Sequence, residues 1–199
     1  MKIARVFAIA ALLSVLAACA HPPQAEINAA HAALESASRN PDVITYAPDA
    51  LRRAQEKLNA LDEEISLQAK RSGLSRNYDA AGALATEASD LSARAGTEAV
   101  AAKQQIADDA AGLVGAVTAA IPAFESKVWA AKRVPRIKLD IITPLQLVPD
   151  QARAAVDDAR KDIASGDFAA AKARLMAAKD QLLSSEETIT EQTRIARGR

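Results

Sequence analysis

The chain has one cysteine, two histidines and 3% aromatic residues in 199 positions, which removes most routes to covalent or metal chemistry before any motif is sought. One cysteine cannot close a disulfide within the chain, so stability has to come from packing alone. Glycine occurs seven times and proline eight times, mostly at the boundaries of apolar periodic stretches. Charge of one sign is missing too. Lysine plus arginine and aspartate plus glutamate are 25 each, interspersed as on solvated helix faces, and nothing in that balance calls for nucleic acid. No nucleophile elbow, phosphate-binding glycine loop, zinc spacing or calcium-loop spacing is present. What remains abundant is alanine, and with so few breakers it points to helices packed closely through small side chains.

The amino-terminal stretch is different in kind. Lys2 and Arg5 form a basic start, Phe7 to Ala18 is apolar but too short to span a bilayer, and Leu16-Ala17-Ala18-Cys19 closes the run with small residues before the cysteine. The pattern resembles the lipobox of bacterial lipoproteins. That resemblance implies a signal peptide over residues 1–18 that is removed, lipidation of the Cys19 sulfur and acylation of the new amino group. The alternatives are an ordinary secretory signal with a chance cysteine and a membrane-spanning anchor; the short run and its flanks favour the lipoprotein. One acyl chain alone gives marginal binding, at about 0.8 kcal/mol per buried methylene, whereas three on Cys19 would hold the protein to the membrane for good. Ala20 stands where an aspartate would favour inner-membrane retention, so the resemblance implies the inner leaflet of the outer membrane, facing the periplasm. Cleavage would remove Lys2 and Arg5, leaving 23 basic residues against 25 acidic, a net of −2.

Periodicity after the anchor is helical throughout. Pro22 and Pro23 open a first helix with Ile27, Ala30, Leu34 and Ala37 on one face, and Asn40-Pro41-Asp42 breaks it. A second helix starts near Pro48 with Leu51, Ala54, Leu58, Leu61 and Ile65, a narrow coiled-coil-like stripe that also makes self-association possible. Arg71-Ser72-Gly73 is expected to end it, glycine supplying the left-handed conformation. A third helix runs from about Asn77 towards Ala120, its seam mostly alanine, with a bend or end near Gly112 to Gly115 and a break at Pro122. Residues 135–149, with Pro135, Pro144 and Pro149 among seven aliphatic residues, cannot form one unbroken helix. They are expected as an ordered connection that buries its aliphatic side chains, a short strand being the lesser alternative. Ala152, Val156, Ala159 and Ile163, a turn at Ser165-Gly166-Asp167, then Phe168, Ala171, Leu175, Ala178, Leu182 and Ile189 form a final antiparallel hairpin, whose end near Arg194 and Arg197 is expected to fray.

The expected fold class is therefore all-α: antiparallel helical hairpins with one long helix and a proline-rich crossover. The domain reading is residues 1–18 signal, 19–121 lipid-anchored helical region, 122–149 basic proline-rich connector and 150–199 carboxy-terminal hairpin. Gly166-Asp167-Phe168-Ala169-Ala170-Ala171 looks like the inter-helix turn of tetratricopeptide-type repeats, although any alanine-rich hairpin converges on that pattern. Cys19 with the helix after it, and Tyr46-Ala47-Pro48 leading into Leu51, Ala54, Lys57 and Leu58, are similar to a family of alanine-rich, helical, sometimes tetratricopeptide-like proteobacterial lipoproteins carrying a domain of unknown function. That resemblance covers residues 19–105 and implies an envelope location and helical hairpins, with no catalytic residue.

His21 and His31 lack convergent partners in sequence and are read as surface residues. Asp62-Glu63-Glu64, Asp108-Asp109, Asp157-Asp158 and Glu186-Glu187 point in diverging directions on helices and are read as solvated faces. The one stretch that could recognise something runs from Phe124 to Lys138. Lys127, Lys132, Arg133, Arg136 and Lys138 have no acidic residue between them, and Trp129, the only tryptophan, sits inside. Such a patch could meet anionic headgroups, phosphates or peptidoglycan carboxylates, with Trp129 as apolar anchor. The competing reading packs Phe124, Val128 and Trp129 into the bundle and leaves the cations in water. The expected function is a lipid-anchored periplasmic scaffold or binding module of the cell envelope, without catalysis, metal or cofactor beyond the lipid on Cys19. Its expected partners are the membrane through that lipid and an envelope protein or peptidoglycan, contacted noncovalently because the sequence ends in Arg199 and not in the terminal lysine of wall-linked lipoproteins. The rival is an enzyme or accessory subunit acting on envelope polymer, which would need carboxylates converging in a cleft.

Overall fold

A computed structural model describes residues 21–198; the signal segment, the Cys19 lipidation site, Ala20 and Arg199 lie outside the described residues. The described chain is all-α, with no strand among its residues. Its helices are α1 (Gln24–Arg39), α2 (Pro41–Tyr46), α3 (Pro48–Ala69), α4 (Asp79–Lys132), α5 (Leu139–Leu145), α6 (Val148–Ser165) and α7 (Phe168–Ala196). Two compact units divide between Ala102 and Lys103.

In the first unit, α1 buries Ile27, Ala30, Leu34 and Ala37, the face expected from their spacing. Asn40 ends α1 and begins α2: its side-chain oxygen accepts the Asp42 N–H at 2.9 Å, and Pro41 occupies the first turn, where a missing N–H has no intrahelical partner to lose. What reads in sequence as a break is thus also a start, and α2 buries Val43 completely. The stripe on α3 is spent inside the chain. Ala54, Leu58 and Leu61 are buried, with Leu51 and Ile65 beside them, against Ile27 and Leu34 of α1 and Ala81, Ala85 and Ala88 of α4. Lys57 pairs with Glu87 and Arg53 with Glu98, so α3 and α4 run antiparallel. Pro23 lies 3.9 Å from where a side chain on Gly82 would begin, which puts the start of α1 beside the α3–α4 loop and makes α1 antiparallel to α3.

The end of α3 differs from expectation. Gly73 does not adopt the left-handed conformation; it opens a 3-10 turn, Gly73–Ser75, four residues beyond the helix end at Ala69. Arg76 does the capping, donating from its guanidinium to the Ala69 and Arg71 carbonyls at 3.1 Å each. Gln68, buried beneath the loop, donates to Glu64 at 2.7 Å and accepts the Asn77 N–H at 3.1 Å. A long polar side chain seven residues after the helix end leaves no local periodic signal, whereas a glycine does.

In the second unit α4 continues through Gly112, Gly115 and Pro122 to Lys132. The break expected at Pro122 does not occur. Proline inside a helix costs about 3 kcal/mol or more, but Pro122 faces solvent, where water can take the carbonyl that its missing N–H leaves free. Val117, Ile121, Phe124, Val128 and Ala131 continue the buried seam across it, and burying side chains of that size stabilises by roughly 1.5–3 kcal/mol each. Burial wins. Residues 135–149 form no strand, and the ordered connection expected there is largely helical. They make a turn, then α5 with Pro144 in its last turn, then the first turn of α6 with Pro149 near its start. Ile142, Leu145 and Val148 enter the core as expected, while Leu139 and Leu147 do not.

Gly166 closes α6 at φ 83°, its N–H bonded to Ile163 and that of Asp167 to Asp162, and Asp167 caps α7 by accepting the Ala170 N–H at 3.0 Å. The α6–α7 hairpin buries Ala152, Val156 and Ala159 against Ala171, Leu175, Ala178, Leu182 and Ile189, and α7 stays helical past Arg194 to Ala196. Arg153 of α6 pairs with Glu125 of α4, and Lys172 of α7 pairs with Asp109 of α4. Since Lys127 pairs with Glu186, α7 runs parallel to α4 and α6 antiparallel to both. By length and composition α4 is the one helix among the described residues long and apolar enough to cross a membrane, with mean hydropathy 1.3 over its most apolar 18 residues. Only 17% of that window is buried within the chain, and Asp109 on the same helix pairs with Lys172.

Ala85 has no exposed surface and faces side chains from α1 and α3, so Ala85→Leu should destabilise the first unit by about 1–3 kcal/mol through overpacking. Ala93→Leu on the exposed face of the same helix should change stability by no more than about 0.5 kcal/mol; urea unfolding followed by circular dichroism compares them. The hydrogen bond from Lys172 holds the Asp109 carboxyl below its ordinary 3.8. A depressed pKa stabilises the fold above the ordinary value, and that contribution disappears as pH falls through the depressed one. Asp109→Asn should therefore lower the unfolding midpoint at neutral pH, with the gap to wild type closing in acid. A gap of constant size down to low pH would assign the loss to packing instead.

Candidate functional site

The basic stretch expected from sequence lies at the carboxy-terminal end of α4 and in the turn after it, and the helix divides it. Phe124, Val128 and Ala131 form the buried face. Lys127 projects to one side of that face, towards α7, where it forms an ion pair with Glu186 and borders an open groove of about 420 Å³ floored by Ala130, Ala131, Val134 and Ile189. Its charge is compensated, and it does not belong with the other cations.

Trp129 and Lys132 project to the opposite side, around a hollow of about 220 Å³ completed by Glu125, Val128, Gln146 and Pro149. Trp129 does not pack into the bundle as Phe124 and Val128 do; it is 56% exposed. One helical turn on, the Arg133 guanidinium lies over the indole, 3.2 Å from the ring centroid. At an exposed site such a cation–π contact is worth about 0.5–1 kcal/mol, enough to hold the two planes together. Arg136 and Lys138 follow in the exposed turn before α5. Lys132 in the last turn of α4 complements the negative end of the helix dipole, an ordinary structural use for one cation; Arg136 and Lys138 lie beyond the helix and have no such use.

Most of the remaining candidates are held in pairs. His31 meets Asp62 at 3.1 Å on the surface, Asp157 pairs with Arg160, and Asp158 pairs with Lys161, whose hydrogen bond lowers the Asp158 pKa. His21 is exposed. Glu186, Glu187 and Glu191 border one open hollow but all stand on α7, and Lys127 and Arg194 hold two of them. Among the described residues no cluster of histidine, cysteine and carboxylate side chains has metal-binding geometry.

Three features of the basic stretch do not follow from the sequence reading above. The Trp129–Arg133 stack could have been read from the four-residue spacing. The separation of Lys127 from Lys132 follows from helical phase, five residues bringing a side chain well around the axis. The exposure of Leu139 and Leu147, 69% and 58%, had no signal, because aliphatic residues between prolines read as core. The chain matches no protein-family profile, and neither a curated protein nor a solved structure matches it significantly.

Arg133→Ala should leave the unfolding midpoint nearly unchanged, since exposed pairs contribute little. It should raise the quenching of Trp129 fluorescence by acrylamide, because the guanidinium covers one indole face. Unchanged quenching would show that the stack does not persist in solution.

Proposed function

We propose that this protein is a lipid-anchored, periplasmic helical scaffold or binding module of a bacterial cell envelope, held to the inner leaflet of the outer membrane through a lipid on Cys19. The observation that carries the reading is how its charge is disposed. Both units bury a core of their own and pair many surface charges across or along helices, and at the end of α4 several unpaired cations stand together beside an exposed indole. Exposed ion pairs of this kind contribute at most about 1 kcal/mol each, so their use lies in setting register and keeping faces hydrated. An uncompensated patch on such a background is what a binding module requires. The lipobox-like sequence supplies the location, and the helix faces and the groove beside Lys127 supply the surfaces on which an envelope protein or peptidoglycan would be held without a covalent bond.

The anchor is tested by feeding labelled palmitate to cells that express the full chain. Label should enter the wild-type protein and be absent from Cys19→Ser, which should also leave the membrane fraction. Ala20→Asp should move the labelled protein from outer- to inner-membrane fractions. A wild-type protein that takes up no label would remove the lipid anchor and with it the assignment to the inner leaflet of the outer membrane.

A further inference from the structure

The surface beyond α4 combines three kinds of side chain that packing leaves unexplained. The Lys132, Arg136 and Lys138 side chains are exposed and make no ion pair or hydrogen bond with any described residue. Trp129, with Arg133 stacked on it, is more than half exposed although it neighbours the buried Val128. Leu139, the first residue of α5, and Leu147, just after its end, turn outwards while Ile142 and Leu145 between them enter the core. The nearby carboxylate Glu125 is engaged by Arg153, and Asp140 in the first turn of α5 is the one acidic residue within the stretch 126–149.

We infer that this surface is a second, noncovalent membrane contact, which docks residues 129–147 onto an anionic phospholipid bilayer. Each part has a counterpart in such a surface. Ammonium and guanidinium groups reach the phosphate layer on flexible stems, the indole sits at the headgroup boundary with its N–H in the polar layer, and exposed leucines enter the acyl edge. A soluble polyanion or the carboxylates of a wall polymer would satisfy the cations, but would leave Trp129, Leu139 and Leu147 in water. The inference rests on the envelope reading only in needing an anionic bilayer within reach.

Trp129 is the sole tryptophan, so its fluorescence reports this surface alone. The full chain is mixed with vesicles of phosphatidylcholine, or of an equal mixture of phosphatidylcholine and phosphatidylglycerol, each with and without brominated acyl chains. Emission should move to shorter wavelength and be quenched by bromine only in the anionic vesicles, and raised salt should reverse both. Each cation near an anionic surface is worth about fivefold in partitioning, so K132Q/R136Q/K138Q should weaken the response by roughly a hundredfold. L139S/L147S should retain charge-dependent binding but lose bromine quenching. Both variants change exposed positions, and circular dichroism verifies their fold. Flotation with vesicles regardless of lipid charge reports the anchor separately, so loss of the anchor and loss of the patch give different results. Quenching that is equal in the two vesicle types, or unchanged in K132Q/R136Q/K138Q, would overturn the proposal. So would an emission shift produced by inorganic polyphosphate without any quenching by brominated lipid, which would make the occupant a soluble polyanion.

Discussion

The rest of the structure depends on the seam of α4. In the first unit that seam is Ala81, Ala85, Ala88, Ala95 and Ala99, and in the second it becomes Ala110, Val117, Ile121, Phe124, Val128 and Ala131. Its change in character sets how each unit is built. A methyl group covers little area, so the alanine part stabilises only if neighbouring backbones come close enough for many small dispersion contacts. The larger side chains of the second part bury more area each and tolerate the proline that the helix carries.

With cysteine and aromatic residues scarce, no covalent bond or single large side chain organises either unit. Register is instead marked by ion pairs that cross helices: Arg53 to Glu98 and Lys57 to Glu87 in the first unit, Lys172 to Asp109 and Arg153 to Glu125 in the second. These pairs are too exposed to supply much of the stability. They choose among the slides that an alanine seam would otherwise tolerate, since one alanine fits much like the next. Against that pattern of matched charge, the unmatched cations around Trp129 acquire their meaning.

Much of the fold was legible because buried faces repeat every three or four residues. Ile27 to Ala37, Leu51 to Ile65 and Ala152 to Ile163 were readable on that ground, as was the glycine turn at Gly166. Errors came where a strong local rule met a stronger tertiary effect. Pro122 obeys no breaker rule because the seam on either side of it is buried, Gly73 does not cap because Arg76 reaches back to do so, and Asn40-Pro41 starts a helix while ending another. The candidate site was half legible. Its cations and tryptophan stood together in sequence, but which of them share a face depended on helical phase, and which leucines stay outside depended on which side of α5 packs into the core.

The sequence by itself determined the helical class, the seams, the hairpins and the position of the one unusual basic stretch, because each is a periodic or compositional property of neighbouring residues. Only the tertiary structure decided that α4 runs unbroken to Lys132, that Lys127 is neutralised by Glu186 from a helix 59 residues away, and that Trp129, Leu139 and Leu147 remain in water. Those outcomes turn on which side chains meet across the bundle, and such meetings are fixed by burial over the whole unit.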